Sequence, residues 1–165
     1  MLQITDYTSY DEVRAILGVS DAELGDEVLS LPLIAYNLEA VLDSVSEEVI
    51  PQYTAVKAKP EADRTRLETR FFGVVQVFSA YAVAKDLLAS ETRFALKKLT
   101  DGKATAERFS SDNKMLVEGV MLGYYQALSR LKAVLEAMGL IVVVPYAGRT
   151  MFGKAGLVND PVTGV

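Results

Sequence analysis

The sequence predicts an all-α protein: a helical bundle with two long helices, a short hairpin-like turn and an extended, β-prone C-terminal arm. Apolar residues recur at the spacing of amphipathic helices up to about Met138. From Gly139 the chain changes to the β-branched run LIVVVPY and then to an arm that holds four more of the eleven glycines. We therefore predict a helical domain over residues 1–138 and a strand with an extended arm over residues 139–165.

Two short helices are predicted near the N-terminus. Ser9 and Glu12 have the spacing of a capping box, in which each side chain accepts a hydrogen bond from the other residue's backbone N–H. Gly18 follows as a natural C-terminal stop. Ser20 and Glu23 repeat the start signal, so a second short helix is expected to begin at Ser20.

A longer helix is predicted from about Leu31 to Lys57. Its apolar face consists of Leu31, Ile34, Leu38, Val41, Leu42 and Val45. Pro51 is expected to end or bend this helix, because proline lacks the N–H that an interior turn needs. Pro60 is expected to begin the next helix at its first turn.

The next helix, over residues 61–90, opens with the charged segment EADRTRLETR and is then apolar on every side. Its most apolar stretch, Phe71 to Ala84, has 14 residues, whereas spanning a bilayer takes about 20. The sequence therefore predicts a buried central helix rather than a membrane anchor.

Residues 96–109 break the helical periodicity, and Asp101-Gly102 is a hairpin-type turn signal. Five bases surround this turn: Arg93, Lys97, Lys98, Lys103 and Arg108. A nucleic-acid patch is one interpretation. We favour a solvated or partner-facing loop, because the aromatic residues among these bases are limited to Phe94 and Phe109 and the whole chain is acidic.

A final long helix is predicted from about Asp112 to Met138, closed by Gly139. Its apolar face consists of Leu116, Val120, Tyr124, Leu128, Leu131 and Leu135. Gly119 and Gly123 lie one turn apart on this helix, where small residues permit close approach of another helix. We interpret the pair as packing rather than as a ligand site.

Composition argues against an enzyme. The chain has 165 residues, no cysteine, no histidine and no tryptophan, which excludes disulfides, thiolate nucleophiles, zinc–thiolate sites and Ser-His-Asp triads. Half of the residues are hydrophobic and the mean hydropathy is +0.20. We expect this apolar excess to serve a subunit interface, the alternative being a well-packed monomer.

Charge is divided unevenly along the chain. Residues 1–50 hold eleven acids and one base, Arg14, whereas residues 51–165 hold sixteen bases and eleven acids, giving net charges of −10 and +5. Opposite charges suit a head-to-tail contact between identical subunits. They equally suit two halves of one subunit folded onto each other, and the sequence leaves this choice open.

One segment of the arm imitates a phosphate-binding loop. Residues 148–155, GRTMFGKA, match the pattern GxxxxGK, but Ala155 lacks the hydroxyl that holds Mg²⁺ and only ten residues follow. We interpret the segment as flexible glycines in an arm. The adjacent acids Asp26-Glu27 and Glu47-Glu48 point about 100° apart on a helix, so we predict neither a metal site nor a bound cofactor.

Several pieces of this layout resemble the head–tail connector, or adaptor, proteins of tailed bacteriophages. These are the acidic opening helix in ITDYTSYDEVRAILGVSDAEL, two long helices, the intervening KKLTDGKATAERF, and the β-prone arm. The pieces Asp101 to Lys103 and Glu107 to Phe109 look most like that family. The resemblance as a whole covers nearly the entire chain.

The resemblance implies a homo-oligomeric ring, expected to be a dodecamer, beneath the portal protein of the capsid. Such a ring would extend the channel for passing genomic DNA, without reading its sequence, and would present a docking surface to the tail or the next neck protein. The protein would be assembled in the host cytoplasm and reside in the neck of the virion, with no membrane partner.

Two sets of contact residues follow from this interpretation. In the arm, strand addition to the portal or a neighbouring subunit would use Val142, Val144, Tyr146, Arg149, Phe152 and Lys154. In the partner-facing loop they are Lys97, Lys98, Asp101, Gly102, Lys103 and Arg108. Two alternatives stay open: a tail-completion or head-closure ring protein of the same particle, and a helical enzyme that uses carboxylates or lysine.

Overall fold

The computed structural model describes residues 3–89 and 112–140. This part of the chain contains six α-helices: α1 (Tyr10–Leu17), α2 (Asp26–Leu29), α3 (Pro32–Val45), α4 (Val49–Ala58), α5 (Arg66–Ala89) and α6 (Asp112–Ala137). Short 3₁₀ helices cover Ile4–Asp6 and Glu61–Asp63. No strand occurs in residues 3–89 or 112–140, so the predicted all-α class is confirmed there. The predicted hairpin-like turn and most of the C-terminal arm lie outside the described residues.

The predicted start and stop of α1 are confirmed. The Glu12 backbone N–H donates to Ser9 Oγ at 3.2 Å, and the Ser9 N–H donates to Glu12 Oε2 at 3.1 Å. Gly18 ends the helix at φ 65°, a left-handed conformation that glycine adopts without the steric cost of a Cβ.

The prediction of a helix that begins at Ser20 is wrong. The Ser20 N–H does donate to Glu23 Oε2 at 3.0 Å, but the segment makes only a turn, and α2 begins at Asp26 after the extended Gly25. The reason is tertiary. The Leu24 carbonyl, which a continuing helix would use for its own ladder, instead accepts a 2.9 Å hydrogen bond from Arg14 Nε.

The single helix predicted over residues 31–57 is two helices, and Pro51 does not mark the break. The chain turns at Ser46, whose backbone is extended at φ −167° and ψ 135°. This turn directs Val45 and Val49 into the core together. Pro51 is the third residue of α4, in the first turn, where a helix has no intrahelical acceptor for the missing N–H.

Pro60 does not begin α5. It precedes the 3₁₀ helix, and α5 starts at Arg66 behind a second capping box that sequence analysis missed. The Glu68 N–H donates to Thr65 Oγ1 at 3.2 Å, and the Thr65 N–H donates to Glu68 Oε2 at 2.8 Å. A T-x-x-E spacing is the signal that would have identified this start.

The predicted end of α6 is confirmed. Gly139 has φ 73°, the Gly139 N–H donates to the Glu136 carbonyl at 3.0 Å, and the Leu140 N–H donates to the Leu135 carbonyl at 2.9 Å. These two bonds form a Schellman motif, which satisfies carbonyls that the helix end would otherwise leave unpaired.

Helix α5 is the centre of the described core. It packs most extensively on α6 and also contacts α1, α3 and α4. Within the described residues it is the one helix long and apolar enough to cross a membrane, judged by length and composition, and 50% of its most apolar stretch is buried in the protein. Soluble core helices pass the same test, and the burial agrees with the predicted central helix.

An aromatic stack joins the N-terminal segment to α4 and α5. The rings of Tyr7 and Tyr53 lie 5.2 Å apart, and Phe72 stacks on Tyr53 at 4.8 Å with planes 3° apart. The Arg64 guanidinium lies over the Phe72 ring, 4.7 Å from its centroid. The Tyr7 and Tyr53 hydroxyls are buried without a hydrogen-bond partner in this part of the chain, so these hydroxyls add no hydrogen bond to the stack.

Candidate interaction surface

Every contact residue predicted from the sequence lies outside residues 3–89 and 112–140. This holds for the arm residues Val142, Val144, Tyr146, Arg149, Phe152 and Lys154, and for the loop residues Lys97, Lys98, Asp101, Gly102, Lys103 and Arg108. The phosphate-loop-like segment 148–155 lies outside as well. These assignments stay predictions.

The acidic N-terminal region is organised around its one base. Arg14 is 8% exposed, and its Nη1 donates to Asp11 Oδ1 at 3.0 Å while Nη2 pairs with Asp26. Together with the Nε bond to the Leu24 carbonyl, these contacts tie α1 to α2. Hydrogen bonds to Asp26 and Asp11 raise the pKa of the guanidinium. A surface depression of about 670 Å³ adjoins this cluster. The Arg14 guanidinium beside it is already paired with Asp11 and Asp26.

Internal charge pairing between the two halves of the chain is sparse. Among residues 3–89 and 112–140, the ion pair of Lys57 Nζ with Asp6 Oδ1, at 3.1 Å, is the one that joins residues 1–50 to the remainder. The pKa of Asp6 is lowered by the Gln3 backbone N–H and by Lys57. Asp11 and Asp26 pair instead with Arg14 inside the N-terminal region itself.

In the part of the chain that the structure describes, large apolar side chains are exposed at the start of α3 and on α5 and α6. Leu31, Leu33 and Tyr36 are 43%, 53% and 66% exposed. We call these three residues the α3 patch. Leu31 was predicted to belong to the buried apolar face. Leu33 and Tyr36 do not share the spacing of that face, and this difference in spacing is the sequence signal for their exposure.

The second exposed apolar surface lies on α5 and α6. Val77 is 45% exposed, and Met115, Leu122 and Tyr125 are 75%, 61% and 58% exposed. We call these four residues the α6 patch. The residues of α6 recur along its outward side over ten positions, a length of about 15 Å. Their spacing differs from that of the predicted core face, which again is visible in the sequence.

The two glycines of α6 have different surroundings. A Cβ on Gly123 would lie 2.2 Å from Tyr81 Cε1, so this glycine permits the close approach of α5. A Cβ on Gly119 would meet no atom within 4 Å. The interpretation as helix packing is therefore confirmed for Gly123, whereas the space above Gly119 is open.

The two pairs of adjacent acids singled out in the sequence lie on the surface. Asp26 is bound to Arg14, and Glu27, Glu47 and Glu48 are exposed. Within residues 3–89 and 112–140, no group of three or more acidic residues is placed to hold a metal ion. A second depression, of about 360 Å³, runs along α6 beside Tyr125 and Lys132 and adjoins the α6 patch.

Comparison with known proteins gives no relative: no family model, curated protein or solved structure matches this chain.

Proposed function

We propose that this protein is a ring-forming structural subunit of a tailed-phage virion, acting as the adaptor between the capsid portal and the tail. The observation that carries the proposal is the pair of exposed apolar patches on different helices of a small helical subunit. Two separate patches suit a subunit that has a neighbour on each side, as in a ring. The resemblance described above supplies the portal and the tail as further partners.

The surface charge supports assembly rather than catalysis. Asp43, Glu47 and Glu48 are exposed, and none has an ion-pair partner within residues 3–89 and 112–140. Unpaired charge of one sign orders subunits during association and is screened by salt. Raising salt from low to high concentration should therefore weaken ring formation, which light scattering of the purified protein measures.

The decisive experiment is docking onto the portal. Purified full-length protein is mixed with the portal protein encoded by the same genome, and complexes are followed by light scattering and electron microscopy. The proposal predicts a ring seated on the portal, beneath the capsid. Binding to a tail protein or to an assembled connector, with none to the portal, would support the tail-completion or head-closure alternative.

The role proposed for the arm is tested by truncation. Deleting residues 146–165 removes four of the six predicted arm contacts. Because the described helices end by residue 137, helicity by circular dichroism should be retained while docking is lost. Undiminished docking of the truncated protein would refute the arm as the latch. A Tyr146→Ser variant in the full chain serves as a milder version of the same test.

A further inference from the structure

We propose that the α3 patch of one copy of this chain packs on the α6 patch of the next copy, with Tyr36 seated over Gly119. The inference rests on the proposed ring and names the two surfaces that close it. It requires the patches to face different directions, to be complementary in charge and to fit in shape, and each requirement has its own evidence.

The two patches lie on opposite sides of the subunit. Asn37, the neighbour of Tyr36, donates from Nδ2 to Asp86 Oδ2 at 2.7 Å. Asp86 follows Val77 by nine positions on α5, which at 100° per residue places them about 180° apart around that helix. Val77 belongs to the other patch, so one neighbour cannot cover both surfaces. Contacts between unlike patches therefore run head to tail, the arrangement from which rings are built.

The chain segment around the α3 patch contains acids and no bases. Between Ala15 and Val56 the chain has no lysine or arginine. Glu27 and Asp43, on either side of the α3 patch in sequence, are both exposed. Neither has an ion-pair partner in the described part of the chain.

Exposed arginines occur on both helices that carry the α6 patch. Arg70 and Arg66 precede Val77 by seven and eleven positions, on the same face of α5, and Arg130 is exposed on α6. None of these three arginines has an ion-pair partner within residues 3–89 and 112–140. Two exposed acids, Glu118 and Glu136, share the outward side of α6. The exposed arginines of α5 and α6 are opposite in charge to the acids that flank the α3 patch.

The shapes are complementary as well. Tyr36 is the most exposed large side chain of the α3 patch, at 66%, and tyrosine is a frequent anchor at interfaces. Gly119 lies one turn from both Met115 and Leu122 in sequence and leaves open space, with no atom within 4 Å of the position of a Cβ. Glycine is disfavoured inside a helix, and no contact within the described subunit requires it at this position. A tyrosine ring entering from a second copy would use the space.

The test uses single-patch variants of the full-length chain, Tyr36→Asp and Leu122→Asp, with Ala55→Asp on the exposed side of α4 as the matched control. Association is measured by sedimentation equilibrium from about 1 μM to about 1 mM. Wild type and the control should associate alike. Each patch variant should be weakened about 30-fold or more, the loss expected for a central anchor. A 1:1 mixture of the two patch variants should form a heterodimer that grows no further, because one compatible pair of patches remains.

Three results would overturn the inference. They are a wild-type protein that stays monomeric at about 1 mM, a patch variant that associates as wild type does, and a mixture that stays monomeric. Because both positions are exposed, circular dichroism should show folded variants; a variant that does not fold is replaced by Tyr36→Ala or Leu122→Ala, with the same expected direction. Portal docking of wild type is measured separately. Docking without head-to-tail association refutes this inference alone, and association without docking refutes the adaptor function alone.

Discussion

Alanine substitution at the two glycines of α6 should have opposite effects on stability. A glycine inside a helix costs about 1 kcal/mol relative to alanine, because the unfolded chain loses more backbone freedom on folding. At Gly119 a Cβ would meet nothing within 4 Å. Gly119→Ala should therefore raise the free energy of unfolding of the subunit by about 1 kcal/mol.

At Gly123 the same gain is opposed by a collision. A Cβ there would lie 2.2 Å from Tyr81 Cε1 and 2.5 Å from Cζ, so the ring has to move away from α6. Overpacking of this kind costs about 1–3 kcal/mol. After subtracting the gain in helix propensity, Gly123→Ala should be destabilising by up to about 2 kcal/mol.

Urea unfolding followed by circular dichroism measures both effects, at a protein concentration low enough that the midpoint no longer depends on it. A double-mutant cycle supplies the control. In a Tyr81→Ala background the collision is absent, so Gly123→Ala should become stabilising by about 1 kcal/mol. The reasoning is refuted if Gly123→Ala stabilises the wild-type protein as much as Gly119→Ala does, because the close approach of Tyr81 would then have no energetic consequence.

Three further predictions concern single groups. Hydrogen bonds from Lys59 and from Thr65 lower the pKa of Glu68 from 4.5 to about 2. The stability that these contacts contribute is present above pH 4.5 and is lost as pH falls toward 2. When the free energy of unfolding is measured against pH, Glu68→Gln should therefore lose less stability than wild type between pH 4.5 and 2. Burial raises the pKa of Tyr53 from 10.0 to about 12, partly offset by the nearby Gln76, which lies outside hydrogen-bond geometry. The free energy of unfolding should therefore fall as pH rises from 10 to 12, and it should fall less in Tyr53→Phe. At neutral pH Tyr53→Phe should be more stable than wild type by about 1 kcal/mol, because it removes an unpaired buried hydroxyl. An equal loss of stability between pH 10 and 12 in the two proteins would contradict this. Gly139→Ala should cost about 1 kcal/mol, since φ 73° is strained for alanine, and should lower Tm by about 2–4 °C in calorimetry.

Local signals in the sequence were sufficient where a helix end depends on adjacent residues. The capping box of Ser9 and Glu12 and the glycine stops at Gly18 and Gly139 are confirmed, because each involves hydrogen bonds within one turn. Local signals failed at Ser20, where the decisive hydrogen bond comes from Arg14, ten positions from Leu24. They failed again at Ser46, where the break serves the burial of Val45 and Val49.

The same division applies to the candidate surface. Composition and charge predicted an interface, and the apolar residues off the core faces at Tyr36 and Leu122 were visible in the sequence. Their periodicity alone does not tell an exposed residue from one covered by another helix. The contact of Gly123 with Tyr81, and the empty space at Gly119 one turn away, required knowledge of where α5 lies.

The sequence by itself determined the helical class, the ends of α1 and α6, and the charge asymmetry, because these depend on residue type and on spacings of a few positions. The tertiary structure alone decided which apolar residues stay exposed, which glycine is needed for close packing, and that Asn37 of α3 contacts α5 at Asp86. Those properties depend on residues brought together from distant parts of the chain, and their relative positions are fixed only when the helices pack.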